Sequence, residues 1–138
     1  MALKIIICGS ISAAEEITKV QKELEAMGHE VEVPQGVKHS HMRKLEGPAE
    51  EKADVKIKHD LIRGYYEKMK NYDVVIVVNP EKKGIPGYIG GNTLIEMAFA
   101  HVLNKKLYCL FPVPDLPYAS EILATQPIIL HSDVSKLS

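Results

Sequence analysis

The stretch Gly84-Ile-Pro-Gly-Tyr88-Ile-Gly-Gly-Asn92-Thr93-Leu-Ile-Glu96 runs four glycines and a proline directly into a helix-forming segment that carries a carboxylate. Glycine loses more backbone freedom on ordering than any other residue, so such a loop is costly unless a ligand approaches its main chain. In the first turn of the helix Glu96 would feel the positive end of the dipole, which favours the ionised form. An ionised carboxylate in a cleft is a nucleophile for an electrophilic carbon. Thr93 and Glu96 also have the spacing of a capping box, in which the acid only ties down the helix start. The residue types leave both roles open. A second signal is Cys8-Gly9-Ser10-Ile11-Ser12, an apolar run that ends in glycine and small hydroxyls. Backbone amides at such a turn attract anions or sugar hydroxyls. Here Ser12 and Glu15 form the alternative capping box, with Ser12 as cap and Ser10 left for a ligand.

Other chemical patterns are weaker. There is no Gly-x-Gly-x-x-Gly and no Gly-x-x-x-x-Gly-Lys-Ser/Thr, so dinucleotide and P-loop readings lose their support and no cofactor is expected. His39 and His41 alternate on one stretch, but no cysteine or carboxylate cluster completes a metal site. His59 and His101 read as helix-surface or packing residues, and no metal is expected.

These residues need elements to position them, and the periodicity supplies an alternation of short apolar runs with longer amphipathic segments. Leu3 to Cys8 is continuous and β-branched, as a central parallel strand covered on both faces should be. Ala13 to Met27 has helical spacing and stops at Gly28. His29 to Val33 alternates and reads as an edge strand before Pro34. Helical spacing from Ile57 to Met69 leads into a third strand at Asp73 to Val78. A helix from about Thr93 to Leu103, a strand at Lys106 to Phe111, a short helix near Tyr118 to Ala124 and a strand at Pro127 to Leu130 complete the pattern. The order predicts a single-domain α/β fold: a doubly wound, flavodoxin-like or Rossmann-like parallel sheet of five strands in order 2-1-3-4-5. Its switch point brings Gly9 and Ser10 beside Asn79 and the glycine-rich loop. Residues 34–56 are polar and aperiodic, the pattern of a long mobile loop that could cover a site.

Composition narrows the partners. The 138 residues suit one domain, and 17 Lys+Arg against 18 Asp+Glu leave a formal charge of -1. That balance opposes a surface built for nucleic acid or for acidic membrane, which leaves small molecules and proteins. Cys8 and Cys109 lie inside apolar runs and read as buried thiols. With no leader-like apolar region after Met1 and no long apolar run, the expected location is the cytoplasm.

The stretches KIIICGSI, NYDVVIVVN and GYIGGNTLIEMAFAHVLNKKLYCLF resemble the nucleoside 2-deoxyribosyltransferase superfamily, including the deoxynucleoside 5′-monophosphate N-glycosidases. The similarity covers most of the chain outside residues 34–56. Glu96, Ala100 and Asn104-Lys105 match the family's pattern after its glycine-rich loop, which implies that Glu96 is the glutamate that attacks the anomeric carbon and holds a covalent deoxyribosyl intermediate. Retaining chemistry of this kind asks for a second group to manage the proton on the departing base. The family's second carboxylate would fall at Tyr65, so Asp60 is the nearest upstream replacement and Glu67 another option. The resemblance implies a nucleoside or nucleotide substrate bound by Gly9, Ser10, Asn79, Tyr88, Gly90, Gly91 and Asn92, with Tyr65 or Tyr88 able to offer a hydroxyl or a ring to the base. Ser12 stands where the N-glycosidase branch has an arginine, leaving Lys82, Lys83 or Arg63 to compensate in phosphate binding. Relatives complete their sites with a neighbouring subunit, which implies a homo-oligomer, a dimer or larger. Three other readings compete. One is a non-catalytic nucleotide or nucleoside-derivative binding module on the same scaffold. The second is a ribonucleotide phosphoribohydrolase, whose loop Gly90 to Glu96 resembles with one residue missing. A flavodoxin-like electron carrier is the weakest.

Overall fold

The computed structural model describes residues 2–38, 57 and 60–137. Five strands form one sheet: β1 (Lys4–Cys8), β2 (Glu30–Glu32), β3 (Val74–Val77), β4 (Lys106–Cys109) and β5 (Ile128–Ile129). Their order is β2-β1-β3-β4-β5 and every pair is parallel, as the alternation of elements predicts. The register sets Ile5 against Val74 and Cys8 against Val77, so β1 and β3 end together.

Side chains of the central strands alternate between two covered faces, which is why β1 and β3 read as unbroken apolar runs. On one face Ile5, Ile7, Val74, Ile76 and Tyr108 pack with Ile17, Val20 and Leu24 of α1 (Ala14–Ala26) and with Val37 of α2 (Gln35–Lys38). On the other, Ile6, Cys8, Val75, Val77 and Cys109 pack with three helices. These supply Tyr65 and Met69 of α3 (Leu61–Met69), Met97 and Ala100 of α4 (Gly91–Val102) and Ile122 of α5 (Ala119–Ala124). Burying a Val, Leu or Ile side chain contributes about 1.5–3 kcal/mol, so this double-sided core holds the sheet without a disulfide, and both cysteines are free thiols.

The edges are short, three residues in β2 and two in β5, which limits strand addition by another chain. At the β2 edge Glu32 forms ion pairs with Lys38 and, at 3.8 Å, with Lys68, linking the strand to α2 and α3.

Two local starts differ from the sequence reading. Helix α4 begins at Gly91 with Gly90 as its cap, two residues ahead of Thr93. A 3-10 turn (Ile11–Ala13) precedes α1, and its cap is Ser10 rather than Ser12. Within the segment expected to be a loop, residues 35–38 are helical. The remainder, 39–56, lies outside the described residues, as do His39, His41 and His59.

Candidate active site

The C-terminal ends of β1 and β3 open onto a hollow of about 120 Å³, at the switch point of the strand order. Ser10, Ser12 and Glu16 line it from the β1–α1 side, Val78, Glu81 and Lys82 from the segment after β3, and Tyr88 and Thr93 from the glycine-rich loop and the start of α4. Ser10 Oγ accepts the Ser12 amide hydrogen at 3.3 Å, and the two serine hydroxyls are 2.8 Å apart. The Lys82 ammonium lies 5.4 Å from the centre of the Tyr88 ring, in cation–π range.

Glu96 is buried, at 7% exposure. Its capping role is excluded by the early helix start, because it occupies the sixth position of α4 instead of the third. The same shift removes most of the dipole effect, which falls off beyond the first turn. Thr93 lies one turn before Glu96 on the same face of α4 and is itself buried at the hollow's wall. Glu96 is not among the hollow's lining residues, and its Oε1 is shut off from solvent. The carboxylate instead meets Cys8, at the last position of β1. Burial first, then the Glu96 charge and a hydrogen bond to Glu96, hold the Cys8 thiol well above its ordinary value of 9.0, so the sulfur stays protonated and its S–H is hydrogen-bonded to the Glu96 side chain. Tyr65 completes the cluster from α3. Its phenol is raised by burial and by neighbouring Cys8 and Glu96, and its hydroxyl donates to the Ile7 carbonyl.

The other expected site residues divide. Gly9 is buried under the turn, where a Cβ would meet the Val78 carbonyl at 3.0 Å. Asn79, buried at 1% exposure, uses both ends of its amide on main chain. It donates to the carbonyls of Gly87 (3.2 Å) and Phe111 (3.0 Å) and accepts the Phe111 amide hydrogen at 3.0 Å. It therefore fixes the loop and lies outside the lining of the hollow. Gly90, Gly91 and Asn92 form the cap and first residues of α4, also outside that lining. Asp60 stands at the start of α3 in a left-handed conformation, 3.7 Å from Arg63, with its side chain exposed. It lines a separate open groove with Ile62, Tyr66 and Phe99, so the structure does not bring Asp60 and Glu96 to one hollow. Glu67 is engaged with Lys70 at 3.3 Å on the surface.

Glu16 and Glu81, which line the hollow, were not distinguishable in the sequence from ordinary solvated charges. Their one signal is position: Glu16 follows Ser12 by four residues, and Glu81 comes just after β3. Among the described residues no three His, Cys, Asp or Glu side chains cluster as metal ligands would, and no helix is long and apolar enough to cross a membrane. Comparisons of the chain with protein-family models, curated proteins and solved structures find no match. The fold and site define a Rossmann-like α/β protein with a small polar hollow at its switch point and a buried carboxylate one helical turn beyond its wall.

Proposed function

We propose that this chain is an N-glycosyl enzyme that cleaves or transfers the 2-deoxyribosyl group of nucleosides or nucleotides, with Glu96 as nucleophile. The observation that carries the reading is a buried Glu96 that serves no capping role and lies one turn from Thr93 at the hollow. A buried carboxylate that shifts the ionisation of its neighbours, here Cys8 and Tyr65, marks a candidate functional site. In the proposed step a Glu96 oxygen bonds to the anomeric carbon as the carbon–nitrogen bond breaks. The base leaves with that electron pair and takes a proton from water, and water or a second base then displaces the carboxylate. Ser10 and Ser12 would bind sugar hydroxyls and Tyr88 the base. The catalytic contribution of Asp60 would require it to act from outside this hollow.

Incubation with deoxynucleosides and their 5′-monophosphates should release or exchange base. Glu96→Ala and Glu96→Gln should each lower turnover by roughly a thousandfold or more while the far-ultraviolet spectrum stays native. Undiminished turnover in Glu96→Ala sinks the nucleophile assignment.

The closure of Oε1 from solvent favours a second reading, a non-catalytic module that binds a nucleoside derivative. In that case ligand raises the melting temperature of both wild type and Glu96→Gln, and no base appears. A cytoplasmic location and self-association belong to the proposal as well. The buried free thiols fit a reducing compartment, and Ile62 of α3 with Ile95 and Val102 of α4 are exposed apolar residues suited to a subunit contact. Light scattering that returns only a monomer rejects the contact.

A further inference from the structure

We infer that the switch-point hollow is built for an uncharged, hydroxyl-bearing edge, so that a deoxynucleoside is its ligand and the corresponding 5′-monophosphate is disfavoured. The inference rests on the glycosyl reading only for the class of molecule.

Three features carry it. The first is charge: among the described residues that line the hollow, Glu16 and Glu81 oppose a single cation, Lys82. A phosphate monoester carries close to two negative charges at neutral pH, and within a few ångströms of two carboxylates each of those charges is repelled. The second is the state of the amides. An anion site at a strand-to-helix turn depends on free N–H groups. Here the Ser12 amide donates to Ser10 Oγ at 3.3 Å and the Ala13 amide to the Ser10 carbonyl at 2.9 Å, so two donors of the turn are already engaged. The third is the chemistry that remains. The lining offers the hydroxyls of Ser10, Ser12 and Thr93, each of which can donate or accept, together with the Glu16 and Glu81 oxygens, which only accept. Sugar hydroxyls can donate to such carboxylates, whereas a phosphate dianion has no proton to give. Lys82 is held against the face of Tyr88 at 5.4 Å, where it polarises a surface on which a base can stack.

The test is calorimetric titration of Glu96→Gln, which removes turnover, with thymidine, 2′-deoxyadenosine, their 5′-monophosphates and inorganic phosphate at low ionic strength, where charge effects are least screened. The nucleosides should bind about tenfold or more tighter than their monophosphates, and phosphate should not compete. In the double variant Glu16→Gln, Glu81→Gln on the same background, the gap should close by monophosphate binding gaining strength. Monophosphates that bind as tightly as nucleosides, a gap that persists in the double variant, or no binding by any of these probes overturns the inference. The two proposals fail separately. Nucleoside binding without base release by the wild type removes the glycosyl reading and keeps the selectivity, whereas base release confined to monophosphates removes the selectivity and keeps the chemistry.

Discussion

Cys8, Tyr65 and Glu96 come from three different elements and are electrostatically coupled near the end of β1. Tyr65 lies on the face of α3 that packs against the sheet. A charged acid there would sit inside the apolar cluster with Met69, Met97 and Ala100, a placement that demands a partner. The phenol avoids that by ending on the Ile7 carbonyl. Tyr65→Phe leaves that buried carbonyl without its donor and should destabilise the fold by about 1–3 kcal/mol, read from chemical denaturation. If Tyr65 only packs, the loss will be close to zero. That Tyr65 lies on a helix was legible from the helical spacing between Ile57 and Met69. Its hydrogen-bond partner, 58 residues away, was not, because no local period reports which strand carbonyl a helix side chain will reach.

The loop between β3 and α4 owes its shape to tethers more than to its own propensity. Lys82 and Ile85 exchange both backbone hydrogen bonds across Lys83 and Gly84, whose φ values of 53° and 78° have the signs of a type I′ turn. Beyond it the chain passes so close to the segment after β4 that a Cβ on Gly87, at φ 68°, would sit 2.3 Å from the Pro112 carbonyl oxygen. Asn79 clamps both segments there, and Tyr118 donates to the Ile89 carbonyl at 2.6 Å. Gly87→Ala should therefore cost more than about 1 kcal/mol through the left-handed backbone alone, with the clash added, and Asn79→Ala roughly 1–3 kcal/mol through unsatisfied main-chain groups. Thermal denaturation checks both, and wild-type melting in either variant rejects the tether. The glycine content announced an unusual loop, yet the particular contact that demands glycine at position 87 involves a segment about 25 residues further on and has no local signature.

For the molecule as a whole, the buried thiols predict an alkaline limit to stability. Burial pushes the Cys109 thiol up from 9.0 to about 12, and Cys8 is raised as well. Once the unfolded chain ionises its thiols near their ordinary value of 9.0, the native state retains protons that the unfolded state has released, and stability falls as pH rises. The contribution is whole below that ordinary value and is lost on the way to about 12 for Cys109. The urea midpoint should be lower between those two pH values than at neutrality, with a smaller drop in Cys109→Ala. An alkylating reagent at neutral pH should label neither cysteine until the protein unfolds, since the thiolate is the reactive form. Rapid labelling of the native protein contradicts the burial.

Strand positions, the parallel sheet and its order could all be read from the chain itself, because a run such as Ile5 to Cys8 or Val74 to Val78 records burial on both faces in its own composition. The glycine-rich approach to Glu96 was legible for the same reason: it is a contiguous stretch. Which side chains meet was settled by packing. A helix that starts two residues early moves Glu96 from the first turn to the second, Asn79 turns from the hollow to the main chain, and Asp60 faces a different groove. Periodicity states which face of an element is covered, whereas a site depends on distances between elements, and those distances exist only once the helices have docked on the sheet.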